Sequence, residues 1–533
     1  MPPTTTKTKP TRTTDTLLER TAIDPATADE ELKKLLRTTQ GNILKSNGRD
    51  YQCLLFIRFN DKAGPKARAW LCRIGGKVTS AWQQWEDARR RAKEFAEAEK
   101  LSDPQKIDQE LAKIRGKSNV FITAFLSAEG YRHLGLTNAM PNDDAFCCGA
   151  QARIGELHDP LVENWQHEYH EPPHALVIVA NDSKSSVDKE VGEIRGSLSG
   201  IGTVTHTEIG RAMRLNRDGT RSLDGPPREH FGSLDGISDP LFFAKDIREH
   251  VGDFGGAPGA VKHDPSAPLG LALIADPGAA GCYGSYIVFR KLRQDVAKFK
   301  QDRDKLARAL AKWAVNSDGI SEIPAYYRDL ADAYIMGRFP DGTPLVLHGF
   351  ATTRSLENNF DYDNDPDGLR CPFPAHIRKT NPRGETKIFA KTTDEKKEQI
   401  EKERGERIIR RGVSYGEPTL NPRESDDVGL LFICAQASIT DQFEFMQKTW
   451  ANNNNFRKKA AGLDPVIGQL ARKPDGQLDR DNPALPQPWP AAYGSQETLP
   501  NIRIGDWVTL RGAENFFAPS LTFLTSLDTW PRE

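Results

Sequence analysis

The chain has 533 residues, enough for two or three ordinary domains or one large two-lobed enzyme. Charged residues make up 28% of it, yet the formal net charge is -1, so no global field draws it to nucleic acid or to a membrane surface. Its seven cysteines (Cys53, Cys72, Cys147, Cys148, Cys282, Cys371 and Cys434) show neither CxxC nor CxxCH spacing, which argues against iron–sulfur ligation, a zinc knuckle and covalent haem attachment and favours a reducing compartment. Met1 to about Thr27 is rich in Thr, Pro and Lys and offers too little apolar surface to offset chain entropy, so a disordered extension is expected, placed at residues 1–38 ahead of the first lobe. That terminus has no apolar h-region and no twin-arginine pair, and no apolar run reaches membrane-spanning length; a cytoplasmic protein is expected. Strand-like runs follow at Cys53–Phe59, Val120–Leu126, Ala175–Ala180, Val204–Ile209, Tyr286–Arg290 and Val428–Ala435. Trp82 to Lys117 reads as a solvated helical insertion. Leu292 to Trp313 reads as an amphipathic helix, with Leu292, Val296, Phe299, Leu306, Leu310 and Trp313 on one face. Strands and helices without strict βαβ alternation predict an α+β fold, and no internal repeat is readable.

The stretch from Arg370 to Arg383, RCPFPAHIRKTNPR, sets His376 after two prolyl turns and just before Arg378, Lys379 and Arg383. A neutral imidazole is a good metal ligand and nearby cations suit a bound dianion, so the segment reads as a haem-ligand site; the alternative is a satisfied core histidine. His167, His170 and His174 in HEYHEPPH have spacing that could hold a metal, but two prolines break any helix there, and a surface histidine cluster is the preferred account.

Three further segments, HFGSLDGISDP (His230–Pro240), RIIRRGVSYG (Arg407–Gly416) and GLDPVIGQ (Gly462–Gln469), stand with RCPFPAHIRKTNPR in an order that resembles the dye-decolorizing peroxidases, from about Gln40 to about Pro519. The resemblance implies two ferredoxin-like lobes of the dimeric α+β barrel type, expected at residues 39–255, with GxxDG, and 256–533, which holds the haem. It points to the larger subclasses of the family. It implies one non-covalent haem b per chain with His376 as axial ligand, and catalysis on the opposite face by Asp235 and Arg410. Arg407 and Arg411 are rivals of Arg410, and the spacing to Tyr415-Gly416 favours Arg410; Ser414 and Gly412 depart from the residues common in relatives. Asp464 is implied as the acid behind the histidine, with Asp441 and Glu444 competing. Arg383, then Arg378, is implied as a propionate partner, and Leu430 and Phe432 as apolar residues over the haem. Tyr415 is a candidate electron relay, with Trp450 and Trp313 next. The implied substrates are hydrogen peroxide and bulky aromatic donors such as dyes and phenols, with no nucleic-acid or membrane partner. Monomer and homo-oligomer are equally compatible with the sequence. A haem-handling protein with little turnover is the alternative function, and a haem-free structural protein is a third, disfavoured by the joint presence of His376, Asp235 and Arg410.

Overall fold

In the computed structural model the described residues are 15–222, 226–252, 261–316, 319–352, 357–473, 477–479, 487–500 and 502–530. Ten strands are present among them: β1 (Tyr51–Phe59), β2 (Phe121–Ser127), β3 (Ala175–Asn181), β4 (Gly202–Arg211), β5 (Ile274–Ala275), β6 (Tyr283–Gln294), β7 (Ile409–Arg410), β8 (Val413–Tyr415), β9 (Gly429–Gln436) and β10 (Val508–Ala518). All pair antiparallel, in the order β5-β6-β10-β2-β3-β1-β4-β8-β9-β7, and a further pairing of β6 with β9 closes eight of them into a barrel. Each half repeats one topology. The order β4-β1-β3-β2 in the first half is matched by β10-β6-β9-β8 in the second, the ferredoxin-like arrangement with its outer strands joined. The seams are Phe516 opposite Ser127, Phe517 opposite Leu126, and Gly210 opposite Tyr415. The α+β expectation is met, with the two lobes fused into one closed sheet.

Burial on both faces explains why β1, β2 and β3 read as continuous apolar runs rather than as alternating ones. Successive side chains point to opposite faces. Cys53, Leu55 and Ile57 pack with Trp70 and Leu71 of the helix Gly64–Gly75 and with Val187 and Ile194 of the helix Lys184–Ser197. Leu54 and Phe56 pack with Leu176, Phe289, Ile433 and Phe516 from the other strands. Each such side chain, fully buried, stabilises the fold by about 1.5–3 kcal/mol. A third core, around Tyr334, Tyr362, Trp489 and Trp507, carries Ala375 and so seats the His376 segment.

Four expectations need correction. Order begins well before residue 38: Leu17 and Ile23 are buried, Ile23 bridges to Phe243, and Asp29 caps the helix Glu30–Thr38. Residues 1–14 lie outside the described residues, as does 253–260, where the expected lobe boundary at residues 255 and 256 falls. The amphipathic helix starts at Val296, because β6 runs on through Leu292 to Gln294 and Asp295 supplies the N-cap. The charged insertion is a pair of helices, Ala81–Ala98 and Pro104–Gly116; the first opens on a Ser80/Gln83 capping box and buries Ala81 and Gln84. His174 is no surface histidine: it is 2% exposed, stacks on His133 at 4.1 Å and accepts the Phe59 N–H through Nδ1 at 2.9 Å.

Candidate active site

One cavity of about 700 Å³ lies where the barrel meets the third core, and its walls bring together His376, Asp235, Arg410, Arg383, Leu430 and Phe432. His376 opens the short helix His376–Thr380, fixed by the turn in which Ala375 N–H bonds Pro372 O. Its Nδ1 lies 2.7 Å from Asp464 Oδ2. Asp464 is fully buried, and its other oxygen accepts the N–H groups of Val466 and Ile467 at 2.8 and 3.1 Å, so the carboxylate cannot turn away. An ionised acceptor at Nδ1 keeps the proton there and leaves Nε2 as the ligating lone pair on the cavity side. The rival acids are committed elsewhere: Glu444 is paired with Arg153, and Asp441 sits at the exposed start of the helical turn Ile439–Glu444.

Elsewhere in the lining of the same cavity, Arg410 at the end of β7 donates from Nη1 to Asp235 Oδ1 at 2.8 Å and from Nε to Asp239 Oδ1 at 3.1 Å. Burial works against its charge, but Asp239 and Asp235 hold the guanidinium above its ordinary value. Asp235 Oδ1 also accepts the Gly236 N–H at 2.7 Å, and Gly236 turns the chain on in the left-handed region, φ 83°. These bonds occupy Oδ1 of the aspartate and Nε and Nη1 of the arginine. Oδ2 and Nη2 are left to the cavity. Arg411 instead points into the protein, bonding the carbonyls of Asn42 and Ile43.

At a third edge of the cavity stand Arg338, Arg383 and Arg407. Arg338 and Arg383 bond backbone carbonyls, Ser238 and Asn358, and Arg407 bonds the carbonyls of Arg404 and Ser266; among the described residues none of the three bonds a carboxylate. Burial pushes Arg338 down to about 9 and Arg383 and Arg407 to about 10, with neighbouring cations adding to the effect on Arg338 and Arg407. Positive charge packed this way calls for an anion. Arg383 also holds a left-handed backbone, φ 52°.

Two expected site residues lie elsewhere. Arg378 does not line the cavity: it is 1% exposed, sandwiched between the rings of Tyr362 and Phe373, and its guanidinium is taken by Asp365 and Glu385. It is an internal brace, not a propionate partner. Tyr415 is likewise no surface residue. It is 5% exposed on β8, and its hydroxyl donates to Asp427 at 3.2 Å.

A model of the DyP dimeric alpha+beta barrel domain matches residues 38–214, and one of the Dyp-type peroxidase C-terminal domain matches residues 371–461. The multifunctional dye peroxidase DyP2 of Amycolatopsis sp. is 34% identical over 95% of this chain and 99% of its own length. The chain belongs to the dye-decolorizing peroxidase family. It is therefore a peroxidase, of a haem-dependent family. The dye-decolorizing peroxidase msp1 of Mycetinis scorodonius is 30% identical over 76% of each chain. Among solved structures, the DyP-type peroxidase of Anabaena sp. superposes with a TM-score of 0.78 at 34% identity, covering 96% of this chain and 99% of that one.

The residues present fit a haem. The cavity offers one imidazole with a fixed tautomer, apolar walls from Leu430, Phe432, Phe443, Met446, Ile377 and Val466, and three guanidiniums that bond no carboxylate among the described residues, where two propionates need partners. Sequence reasoning missed Arg338 and Asp239 and weighed Arg407 only as a rival to Arg410. Asp239 was within reach, four residues beyond Asp235 in the same motif; Arg338, 45 residues before Arg383, carries no local signal.

Proposed function

We propose that this peroxidase binds one non-covalent haem b per chain on His376, reduces hydrogen peroxide, and oxidises bulky aromatic donors such as dyes and phenols by single-electron steps. The observation that carries this reading is that one cavity is lined by His376, bonded to Asp464 at 2.7 Å, and by Asp235, bonded to Arg410 at 2.8 Å. Bound haem supplies the redox-active iron that accepts two electrons' worth of oxidation from peroxide and is returned to rest by two donors, each losing one electron. His376 would hold the iron through Nε2, and Asp464, accepting the Nδ1 proton, strengthens that ligand and fixes the ring. Asp235 takes a proton from peroxide at Oδ2 and returns it to the departing oxygen, which leaves as water. Arg410, charged at any working pH, stabilises the negative charge on that oxygen. Arg383, Arg338 and Arg407 would hold the propionates, and Leu430 and Phe432 would help to exclude water from the cavity. Tyr415 is proposed as an internal relay for donors too large to enter, its phenolic proton passing to Asp427, whose side chain is 48% exposed.

No helix among the described residues is long and apolar enough to cross a membrane. The cytoplasm is the proposed location, on the reducing conditions that suit seven free thiols. The test is rapid mixing of the haem-loaded protein with peroxide, followed by a dye. The parent should change its Soret spectrum rapidly and then bleach dye. Asp235→Asn and Arg410→Leu should retain haem and react about 10²–10⁴-fold more slowly. Parental rates in both variants would remove these residues from the mechanism.

A further inference from the structure

The mechanism leaves one carboxylate of the cavity wall unused. Glu229, three residues before the GSLDG loop that presents Asp235, is half-buried and lines the cavity with Ser233, Asp235 and Gln294. Its Oε2 accepts the Phe231 N–H at 2.8 Å and its Oε1 the Ser233 N–H at 2.9 Å. Gln294, the last residue of β6, donates its side-chain N–H to Oε2 at 2.7 Å. The backbone of Glu229 closes the same turn: its N–H bonds Ser233 O at 3.1 Å, and its carbonyl accepts the Gly232 N–H at 2.9 Å. Three donors thus converge on one side chain, two from the loop and one from the barrel.

The loop needs such a fastening. Gly232 and Gly236 bracket Asp235 in left-handed backbone, φ 102° and 83°, where glycine lends freedom rather than rigidity. On one side the Phe231 ring is anchored by stacking on Phe299 at 4.3 Å. On the other, Asp235 N–H reaches Pro227 O at 2.9 Å. Between these points, Glu229 supplies the side-chain contacts to the amides of Phe231 and Ser233. A reacting group displaced by an ångström can lose about 10²-fold in rate, so the fixing of this turn bears directly on catalysis. A carboxylate also suits the task better than an amide, because all its lone pairs accept, and the surrounding donors are all N–H groups.

We propose that Glu229 is a positioning residue for the peroxide step, a two-oxygen clamp that ties the GSLDG loop to β6 and holds Asp235 opposite His376. The inference rests on the proposed role of Asp235. Glu229→Gln tests it, since the amide keeps the shape of the side chain but turns an NH₂ group toward a backbone N–H, breaking one arm of the clamp. Measured on the haem-loaded variant, hydrogen exchange in residues 229–236 should accelerate about tenfold, the cost of leaving one buried donor unpaired. The rate of the reaction with peroxide should fall about 10–100-fold, with KM for the dye and haem content within twofold of the parent. Exchange and rate both at parental values would overturn the proposal. So would a slow peroxide reaction with parental exchange, which would make Glu229 a proton carrier instead of a clamp. Asp235→Asn separates the two readings: it should slow the peroxide reaction without altering exchange at Phe231 and Ser233. Should that variant react at the parental rate, the role of Asp235 falls, while exchange in Glu229→Gln still decides the clamp. If Glu229→Gln does not fold, Gln294→Leu severs the same carboxylate from β6 and should show the same pattern, with exchange accelerated roughly threefold; unchanged exchange there overturns the tether.

Discussion

At the scale of single residues, the site is a set of side chains whose freedom has been removed by partners outside the cavity. Asp464 can serve His376 because Val466 and Ile467 hold its second oxygen, and Arg410 can face the cavity with one free nitrogen because Asp239 and Asp235 hold the others. The motif segments made His376, Asp235, Arg410 and Asp464 legible in the sequence. Arg378 was misassigned because adjacency to the histidine says nothing of direction: on the short helix His376–Thr380 its side chain turns inward to Asp365 and Glu385. The spacing from Arg410 singles out Tyr415 but says nothing of its depth. With Lys291 Nζ 4.8 Å over its ring and Asp427 on its hydroxyl, it is set within the protein near an exposed carboxylate. Tyr415→Phe is predicted to keep peroxide reactivity and small-phenol turnover within about twofold while lowering turnover of a bulky anthraquinone dye several-fold, since phenylalanine cannot release a phenolic proton. Equal dye turnover with an undiminished tyrosyl radical signal would move the relay to exposed Trp313 or buried Trp450.

At the scale of elements, the strands read best were those whose burial leaves a continuous apolar run, β1 to β3 and β9. β10 escaped because VTLRGAENFFA is interrupted by charge and by Gly512, where a Cβ would lie 2.2 Å from the Tyr169 ring. β7 and β8, at two and three residues, are too short to show a period. The start of β3 carries a pH dependence that its sequence also hid. Burial, with His133 and Arg58, pushes the His174 imidazole from 6.5 down to about 3. The folded protein therefore refuses a proton that the unfolded chain accepts: this contribution to stability is complete above about pH 6.5 and is lost as pH falls from there toward 3. The slope from one such group approaches about 1.4 kcal/mol per pH unit. His174→Asn keeps an acceptor for the Phe59 N–H without titrating, so its urea midpoint should fall less steeply between pH 6.5 and 4 than that of the parent. Parallel slopes would show that His174 is not the group responsible.

At the scale of the whole molecule, two copies of one topology share a closed sheet, a duplication the sequence does not display because the halves keep the order of strands and not their residues. Closure leaves the cavity at the junction of barrel and third core, so its walls come from segments far apart in the chain, and Arg338, Arg383 and Arg407 meet there only after folding. Three cations with no bonded carboxylate among the described residues should make the haem-free protein less stable than the loaded one. Haem at about 1,000 times its Kd is expected to add roughly 4 kcal/mol and raise Tm by a few degrees. Replacing Arg338 and Arg383 together by Met should shrink that gain; a gain of the same size would place the propionates elsewhere. The most direct test of the whole account is the haem content and spectrum of His376→Ala. The variant should fold, lose most of its haem during gel filtration, and show a shifted Soret band in whatever remains. Full haem occupancy with the parental spectrum would contradict the account, because among the described residues that line the cavity no other side chain is an imidazole.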